Sequence, residues 1–278
     1  DEDGRDLTSE ALFERTSILH ASIVAKEDSL VVGLPLIAII LERMHCSEHR
    51  ITLLAADGQD VVRGQEVARI SGPAPVLLKA ERVVMNFICR LSGVSNATRR
   101  FVQAVQGTSV RVLDTRKTTP GHRYLEKYAV RMGGGHNHRA NLEEMLMLKD
   151  NHIDQAGSIT AAVQRLGQAY AVCPPLEIEC RTLDHVREAV GLNPQRIMLD
   201  NMPPQLAAEA LRLIPGHIES EISGNVTLAT IRGLAELRPT FISSGAITHS
   251  AIVADSPCAW PRHKGGSMRD SIMTIRKD

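Results

Sequence analysis

What this 278-residue chain lacks narrows its reading before any motif is considered. It has no excess of either charge, since 32 lysines and arginines face 32 aspartates and glutamates. A general nucleic-acid binder, or a protein held to an anionic membrane, needs a basic surplus, so neither partner is expected. Cysteine is scarce and odd in number, with five residues at Cys46, Cys89, Cys173, Cys180 and Cys258 and no CxxC pair. That argues against a disulfide framework or a zinc site and favours a reducing, cytoplasmic setting. The longest apolar run, Leu30 to Leu41, is interrupted by Gly33 and Pro35 and is too short to span a bilayer. The opening DEDGRDLTSE is acidic and unlike a signal peptide. No internal repeat or low-complexity segment is visible.

An apolar fraction of 43% is ordinary for a globular protein, and the length allows one or two domains. Residues 1–107 read as a mixed α+β region. A hairpin is expected to turn at Glu27-Asp28, and a helix to start at Gly33-Leu34-Pro35, where proline suits a first turn. Asp57-Gly58 and Arg63-Gly64 mark turns between short strands. Leu77, Val84, Phe87, Ile88 and Leu91 recur at helical spacing, predicting a buried helix that carries Arg82 and closes at Ser92-Gly93. A second helix should follow over about 96–105 and end at Gly107.

From 108 to 250 the texture changes to short β-rich runs alternating with helical stretches. The runs are Val110–Leu113, Met145–Leu148, Leu176–Cys180, Arg196–Leu199, Ile218–Ile222 and Thr240–Ser243, with a weaker one at Ala129–Arg131. The last four recur about every 20 residues, which suits βα units and a parallel sheet. Each ends in polar residues: Thr115 and Arg116, Lys149, Glu179, Asp200, Ser223, Ser244. In an α/β barrel the working residues sit at the C-terminal strand ends, so a barrel with a polar mouth is expected, and six or seven strands leave it incomplete. Residues 251–278 show no clear periodicity and are expected to pack on the first domain.

The chemistry concentrates between Leu113 and His152. Arg116 offers a planar fork for carboxylate or phosphate, and Lys117 adds a point charge beside Thr115, Thr118 and Thr119. Gly133-Gly134-Gly135 lets the backbone approach a ligand closely. His136 and His138 lack a nearby carboxylate or thiol to complete a metal set, so His138 and Arg139 read better as anion contacts. Lys149 at a strand end can bind an anion, form a Schiff base, or simply reach water. Glu179 and Asp200 can hold ribose hydroxyls or waters on Mg²⁺, act as general acid and base, or pair with arginines. Ser223-Gly224-Asn225 and Ser244-Gly245-Ala246, with His249 nearby, open helical patterns whose free N–H groups attract phosphate.

Together ERVVMNFICRLSG, LDTRKTTPG, EKYAVRMGGGHNHR, LKDNHI, LDN, SGNVT and SSGAITHS resemble the quinolinate phosphoribosyltransferase family. The resemblance implies an N-terminal α/β sandwich domain plus an incomplete α/β barrel, of the type II phosphoribosyltransferase kind. It implies that quinolinate and phosphoribosyl pyrophosphate are converted, with Mg²⁺, to nicotinate mononucleotide, pyrophosphate and CO₂ for NAD synthesis. It also implies a homodimer, or a larger assembly of dimers, with shared active sites. Carried over residue by residue, Arg116, Arg139 and Lys149 match quinolinate ligands, and Arg82 matches an arginine reaching in from the neighbouring chain. Thr115, Lys117 and His138 line the same pocket. Glu179 and Asp200 match the acids near ribose and metal, with Lys117 and Lys149 beside them in catalysis. Ser223, Gly224, Asn225, Ser244, Gly245, Ala246 and His249 match the phosphate loops. Most members carry a further helix ahead of the stretch matching GRDLTSE, and a closing Asp-Ile-Ser-Leu pattern that VADSPCAWPRHKGGSMRDSIMTIRKD replaces here. Three rivals stand beside this reading: a paralogue linked to molybdate transport, a Schiff-base aldolase using Lys149, and a non-catalytic phosphate or metal binder.

Overall fold

The computed structural model describes residues 5–252 except 15 and 47, together with the backbone of 273–277. Its contacts divide the chain into two units, 1–97 with 251–278, and 98–250. The division falls upstream of the Gly107 boundary, inside a helix that serves both units.

In the first unit, α1 (Leu7–Leu12) is capped by the Asp6 carboxylate, which accepts from the N–H groups of Thr8 and Ser9. Strands β1 (Ile18–Ala25), β2 (Ser29–Val31), β3 (Arg50–Leu53), β4 (Gln59–Val61) and β5 (Glu66–Pro73) follow, with α2 (Leu36–Arg43) between β2 and β3. One antiparallel sheet has the order β12-β1-β5-β3, where β12 is Met273–Lys277, and β2 pairs with β4 in a second sheet. The expected Glu27-Asp28 hairpin therefore does not form. The turn is there, but it sends the two strands into different sheets. The rest of the expected tail, 253–272 and 278, lies outside the described residues.

A single helix, α3 (Ala74–Ala104), replaces the two expected around Ser92-Gly93. The supposed stop is used for packing instead. Ser92 Oγ accepts from Val32 N–H at 3.0 Å, and Asn96 Oδ1 accepts from Leu30 N–H at 3.1 Å. Ser92 is fully buried, and these hydrogen bonds work against the roughly 1 kcal/mol cost of a mid-helix glycine. Ile23, Val31, Leu34, Ile37, Leu41, Val67, Ala80, Val84 and Ile88 form this unit's apolar core.

The second unit alternates strand and helix. Its elements are β6 (Arg111–Leu113), α4 (Arg123–Met132), β7 (Leu146–Leu148), α5 (Asp150–Ala156), α6 (Ile159–Ala169), β8 (Leu176–Cys180), α7 (Leu183–Gly191), β9 (Arg196–Asp200), α8 (Pro204–Leu213), β10 (Glu219–Ser223), α9 (Ile231–Ala235), β11 (Phe241–Ser243) and α10 (Ala246–His249). The six strands form one parallel sheet in the order β6-β11-β10-β9-β8-β7. A lone bridge from Leu113 to His136 extends its β6 edge. Ala129–Arg131 belongs to α4, not to a strand. Glu126, Lys127, Ala129 and Val130 are its buried residues, at helical spacing.

Period-two alternation sorts the sheet residues onto two faces. Ile178, Cys180, Ile197, Leu199, Ile222 and Ile242 lie on one and are almost wholly buried. Glu177, Glu179, Arg196, Asp200, Glu219 and Glu221 lie on the other. Phe241 on that face is flanked by the guanidinium groups of Arg111 and Arg196, at 4.2 and 4.1 Å from the ring centre. The strand ends then carry this polar face to one edge of the sheet.

Candidate active site

All six strands run parallel, so their C-terminal ends and the loops that follow share one side of the sheet. That side gathers the barrel residues expected from sequence. Arg82 belongs to the first unit, half-buried on α3.

The loop after β6 is anchored from below. Asp114 is fully buried and accepts from Lys127 Nζ at 2.6 Å, Asn137 Nδ2 at 2.7 Å and His138 N–H at 2.8 Å. Lys127 also donates to the His138 carbonyl at 2.7 Å. Burial pushes Asp114 up and Lys127 down, and each opposes the other's shift through its charge. This ion pair therefore pins the Gly133–Arg139 segment to the strand end rather than contributing large net stability. Gly135 packs so closely that a Cβ there would fall 2.6 Å from the Thr98 methyl. Arg123, on α4, braces the same loop through the Thr118 hydroxyl and the Arg116 and Ala140 carbonyls.

Arg116 and Arg139 are close enough for each charge to feel the other. Burial first, and then Arg116, holds Arg139 below the ordinary guanidinium range, while Glu177 opposes this. The Nε atoms of both arginines are buried without a hydrogen-bond partner. Arg139 spends one arm on the Met145 carbonyl at 2.9 Å. Lys149 Nζ lies 3.4 Å from Glu179 Oε2. Glu179 is raised by burial, lowered by Lys149 and raised again by Asp200, so these three ends form one electrostatic group.

On the other side of β9 the loops interlock. Asn201 donates to Asp200 Oδ2 at 2.9 Å, and Ser243 Oγ donates to Ser223 Oγ at 2.8 Å. Ser244 donates its hydroxyl to the Val226 carbonyl at 2.7 Å, while its own oxygen accepts from Ala246 N–H at 3.2 Å. Thr248 Oγ1 donates to the Lys117 carbonyl at 2.8 Å. A Cβ on Gly245 would lie 2.8 Å from the His249 ring and 3.2 Å from Lys117 Cδ. Lys117, Gly245, Ala246 and His249 are thus neighbours, with Thr115 half-buried at the root of the same loop.

Sequence reasoning missed a deeper layer. His138 Nε2 lies 2.9 Å from Glu177 Oε2 and 3.8 Å from Glu221 Oε2, near in distance but out of line for a good hydrogen bond. Arg196 donates to Glu221 at 3.0 Å and to Glu219 at 2.9 Å. The acids alternate with apolar residues in LEIEC and SEIS, and that alternation was the available signal. His138, Glu177 and Glu221 each bring a ligand atom within 4.8 Å of the others, a spacing that could suit a metal. The hydrogen bonds argue otherwise. Arg139 N–H donates to His138 Nδ1 at 2.8 Å, so in the neutral ring the hydrogen sits on Nε2, leaving no lone pair there for a metal. Burial, ahead of every other cause, keeps that ring neutral.

Glu177 and Glu221 are each pushed up to about 7, chiefly by burial. Between the ordinary value of 4.5 and about 7, the folded chain holds protons that the unfolded chain has released. Stability therefore falls as pH rises through that window. Glu177→Gln removes one titrating group and nearly keeps the size of the buried side chain. Its urea stability should gain on the parent's as pH rises from about 4.5 to about 7, by at most ~3 kcal/mol. Parallel pH curves for the two proteins would contradict this.

Comparison with known proteins gives this geometry its setting. The profile described as "Quinolinate phosphoribosyl transferase, N-terminal domain" matches residues 6–92, and the corresponding "C-terminal domain" profile matches residues 94–256. A Synechocystis sp. protein named "Probable nicotinate-nucleotide pyrophosphorylase (carboxylating)" is 45% identical over 235 residues, covering 83% of this chain and 79% of the relative. A Bacillus subtilis protein of the same name is 40% identical over 247 residues, covering 88% and 84%. The crystal structure of NadC from Streptococcus pyogenes superposes with a TM-score of 0.84 at 36% identity, covering 89% of this chain and 87% of that one. Across both units, the chain belongs to the quinolinate phosphoribosyl transferase family.

Proposed function

We infer that the protein is a carboxylating nicotinate-nucleotide pyrophosphorylase. It joins quinolinate to phosphoribosyl pyrophosphate and yields nicotinate mononucleotide, pyrophosphate and CO₂ for NAD synthesis. The observation that carries this reading is the gathering of Arg116, Arg139 and Lys149 beside Glu179, Asp200 and two Ser-Gly loops, in a family member with no net charge. The proposed roles follow from charge. The Arg116 and Arg139 forks and the Lys149 ammonium meet the two carboxylates of quinolinate, with His138 against the ring. Thr115 and Lys117 border that pocket. Ser223–Asn225, Ser244–Ala246 and His249 receive the sugar phosphate.

Breaking the bond at the ribose carbon builds positive character on the sugar and negative charge on the departing pyrophosphate. The pyridine nitrogen attacks that carbon. Its new positive charge then stabilises the electron pair that stays on the adjacent ring carbon as the C–CO₂⁻ bond breaks and CO₂ leaves, and that carbon takes up a proton from solvent to give the product. Glu179 and Asp200 offer hard oxygen donors of the kind Mg²⁺ takes, and both belong to the group that includes Lys149. Mg²⁺, when bound there, would neutralise charge on the leaving pyrophosphate. Lys149 and Lys117 supply positive charge beside it. The Lys149–Glu179 contact counts against the aldolase reading, since an ion-paired ammonium is a poor nucleophile. Among the described residues, no helix is long and apolar enough to cross a membrane.

The direct test is turnover. Quinolinate, phosphoribosyl pyrophosphate and Mg²⁺ should give equal amounts of nicotinate mononucleotide and CO₂, and absence of both products would overturn the reading. We also propose a homodimer in which Arg82 of one copy completes the other copy's site. Lys149→Ala and Arg82→Ala should each be nearly inactive. Equal mixtures that exchange subunits should recover about a quarter of the native rate, because half the dimers would carry one intact site. No recovery after proven exchange would count against sharing.

A further inference from the structure

Asn201 follows Asp200, the acid that ends β9. Its backbone is left-handed, with φ of 52°, and so is that of Asn225, also at 52°, beside Gly224 at 94°. Three hydrogen bonds converge on it. Asn201 Nδ2 donates to Asp200 Oδ2 at 2.9 Å, Asn225 Nδ2 donates to Asn201 Oδ1 at 2.9 Å, and Asn201 N–H donates to the Ser223 carbonyl at 2.9 Å. One side chain therefore ties the end of β9 to the loop after β10. It uses an amide donor and an amide acceptor at once, which neither aspartate nor leucine can supply. The fit is close: a Cβ on Gly224 would fall 2.3 Å from Asn201 Oδ1.

We propose that Asn201 is a positioning residue that locks the Asp200 carboxylate to the Ser223–Asn225 loop. The two then act as one rigid clamp on the sugar phosphate. This rests on the proposed function, because that reading assigns Asp200 to the ribose end and the loop to the phosphate. Without the link, each half keeps its own chemistry, but their spacing is no longer fixed to the length of one substrate. The effect belongs to phosphoribosyl pyrophosphate and not to quinolinate, whose arginines lie on the β6 loop and on the segment between α4 and β7.

The test uses Asn201→Gly, since glycine accepts a φ of 52° and so keeps the backbone while deleting the side chain. The KM for phosphoribosyl pyrophosphate should rise about tenfold, as expected for losing roughly two weak hydrogen bonds. The KM for quinolinate should stay within about twofold, and the urea midpoint should stay near the parent's because Asn201 is exposed. A second measurement needs no turnover. Gly224→Ala should lower the urea midpoint much less in the Asn201→Gly background than in the parent, because the side chain that its Cβ strikes is gone. Equal rises in both KM values, no rise in either, or an equal Gly224→Ala cost in both backgrounds would each overturn the proposal. A parent protein that turns over neither substrate would instead sink the functional reading, and the coupling between positions 201 and 224 would still be measurable.

Discussion

Arg139→Ala should raise the KM for quinolinate by about a hundredfold, while the urea midpoint holds steady or rises slightly. The first part follows from the loss of a charged fork. Charge-assisted hydrogen bonds to a carboxylate are worth about 1.5–3 kcal/mol, and at the upper end that is two orders of magnitude in affinity. The second part follows from the company Arg139 keeps. Its guanidinium is held below the ordinary range by burial and by Arg116, and both arginines bury an Nε without a partner. Arg116 makes the Arg139 charge harder to keep in this buried place, and Glu177 offsets only part of that. Deleting Arg139 relieves that repulsion, at the expense of one bond to the Met145 carbonyl. Arg139→Lys should recover only part of the affinity, because a point charge cannot reproduce the planar fork. A large drop in stability with unchanged quinolinate affinity would show that Arg139 is a structural residue.

Lys127→Ala should cost about 3–5 kcal/mol of folding stability, the usual result of stranding one partner of a buried ion pair. Asp114 would then sit fully buried with its nearest positive charge removed, and the His138 carbonyl would lose its 2.7 Å donor. Burial already works against both partners, pushing Asp114 up and Lys127 down. The pair is therefore expensive to break and cheap to remove. Asp114→Asn combined with Lys127→Met should recover much of the lost stability, since no charge is then left buried. Activity should not return with it, because the anchor that holds His138 and Arg139 at the strand end is gone. Urea titration of the single and double variants measures the first claim, and turnover measures the second. If Lys127→Ala and the double variant were equally unstable, packing rather than charge would explain the pair.

The outline of the second unit was legible because its determinants are local. Short β-rich runs, helical spacing between them and a polar residue at each run's end are all visible within about 20 residues. Six of the seven proposed runs are strands, and the polar residues do end them. Ala129–Arg131 misled because a buried face of a helix and a short buried strand look alike over three residues. Ser92-Gly93 misled because a stop signal can equally be a close-packing site, and the partner strand residues lie about sixty positions away in sequence. The cationic rim was read from its spacing against the strand ends and from family resemblance. Its supports were not. Lys127 meets Asp114 across 13 residues, and Glu177 meets His138 across the sheet, so no window of sequence shows either pair.

The central claim is that a chain without net charge has drawn its cations to one side of a parallel sheet to seat a pyridine diacid. A crystal structure with quinolinate bound measures this most directly. The expected result is one carboxylate against the Arg116 and Arg139 forks and the other within reach of Lys149. Quinolinate bound elsewhere, or those three side chains turned into solvent with the ligand present, would contradict it.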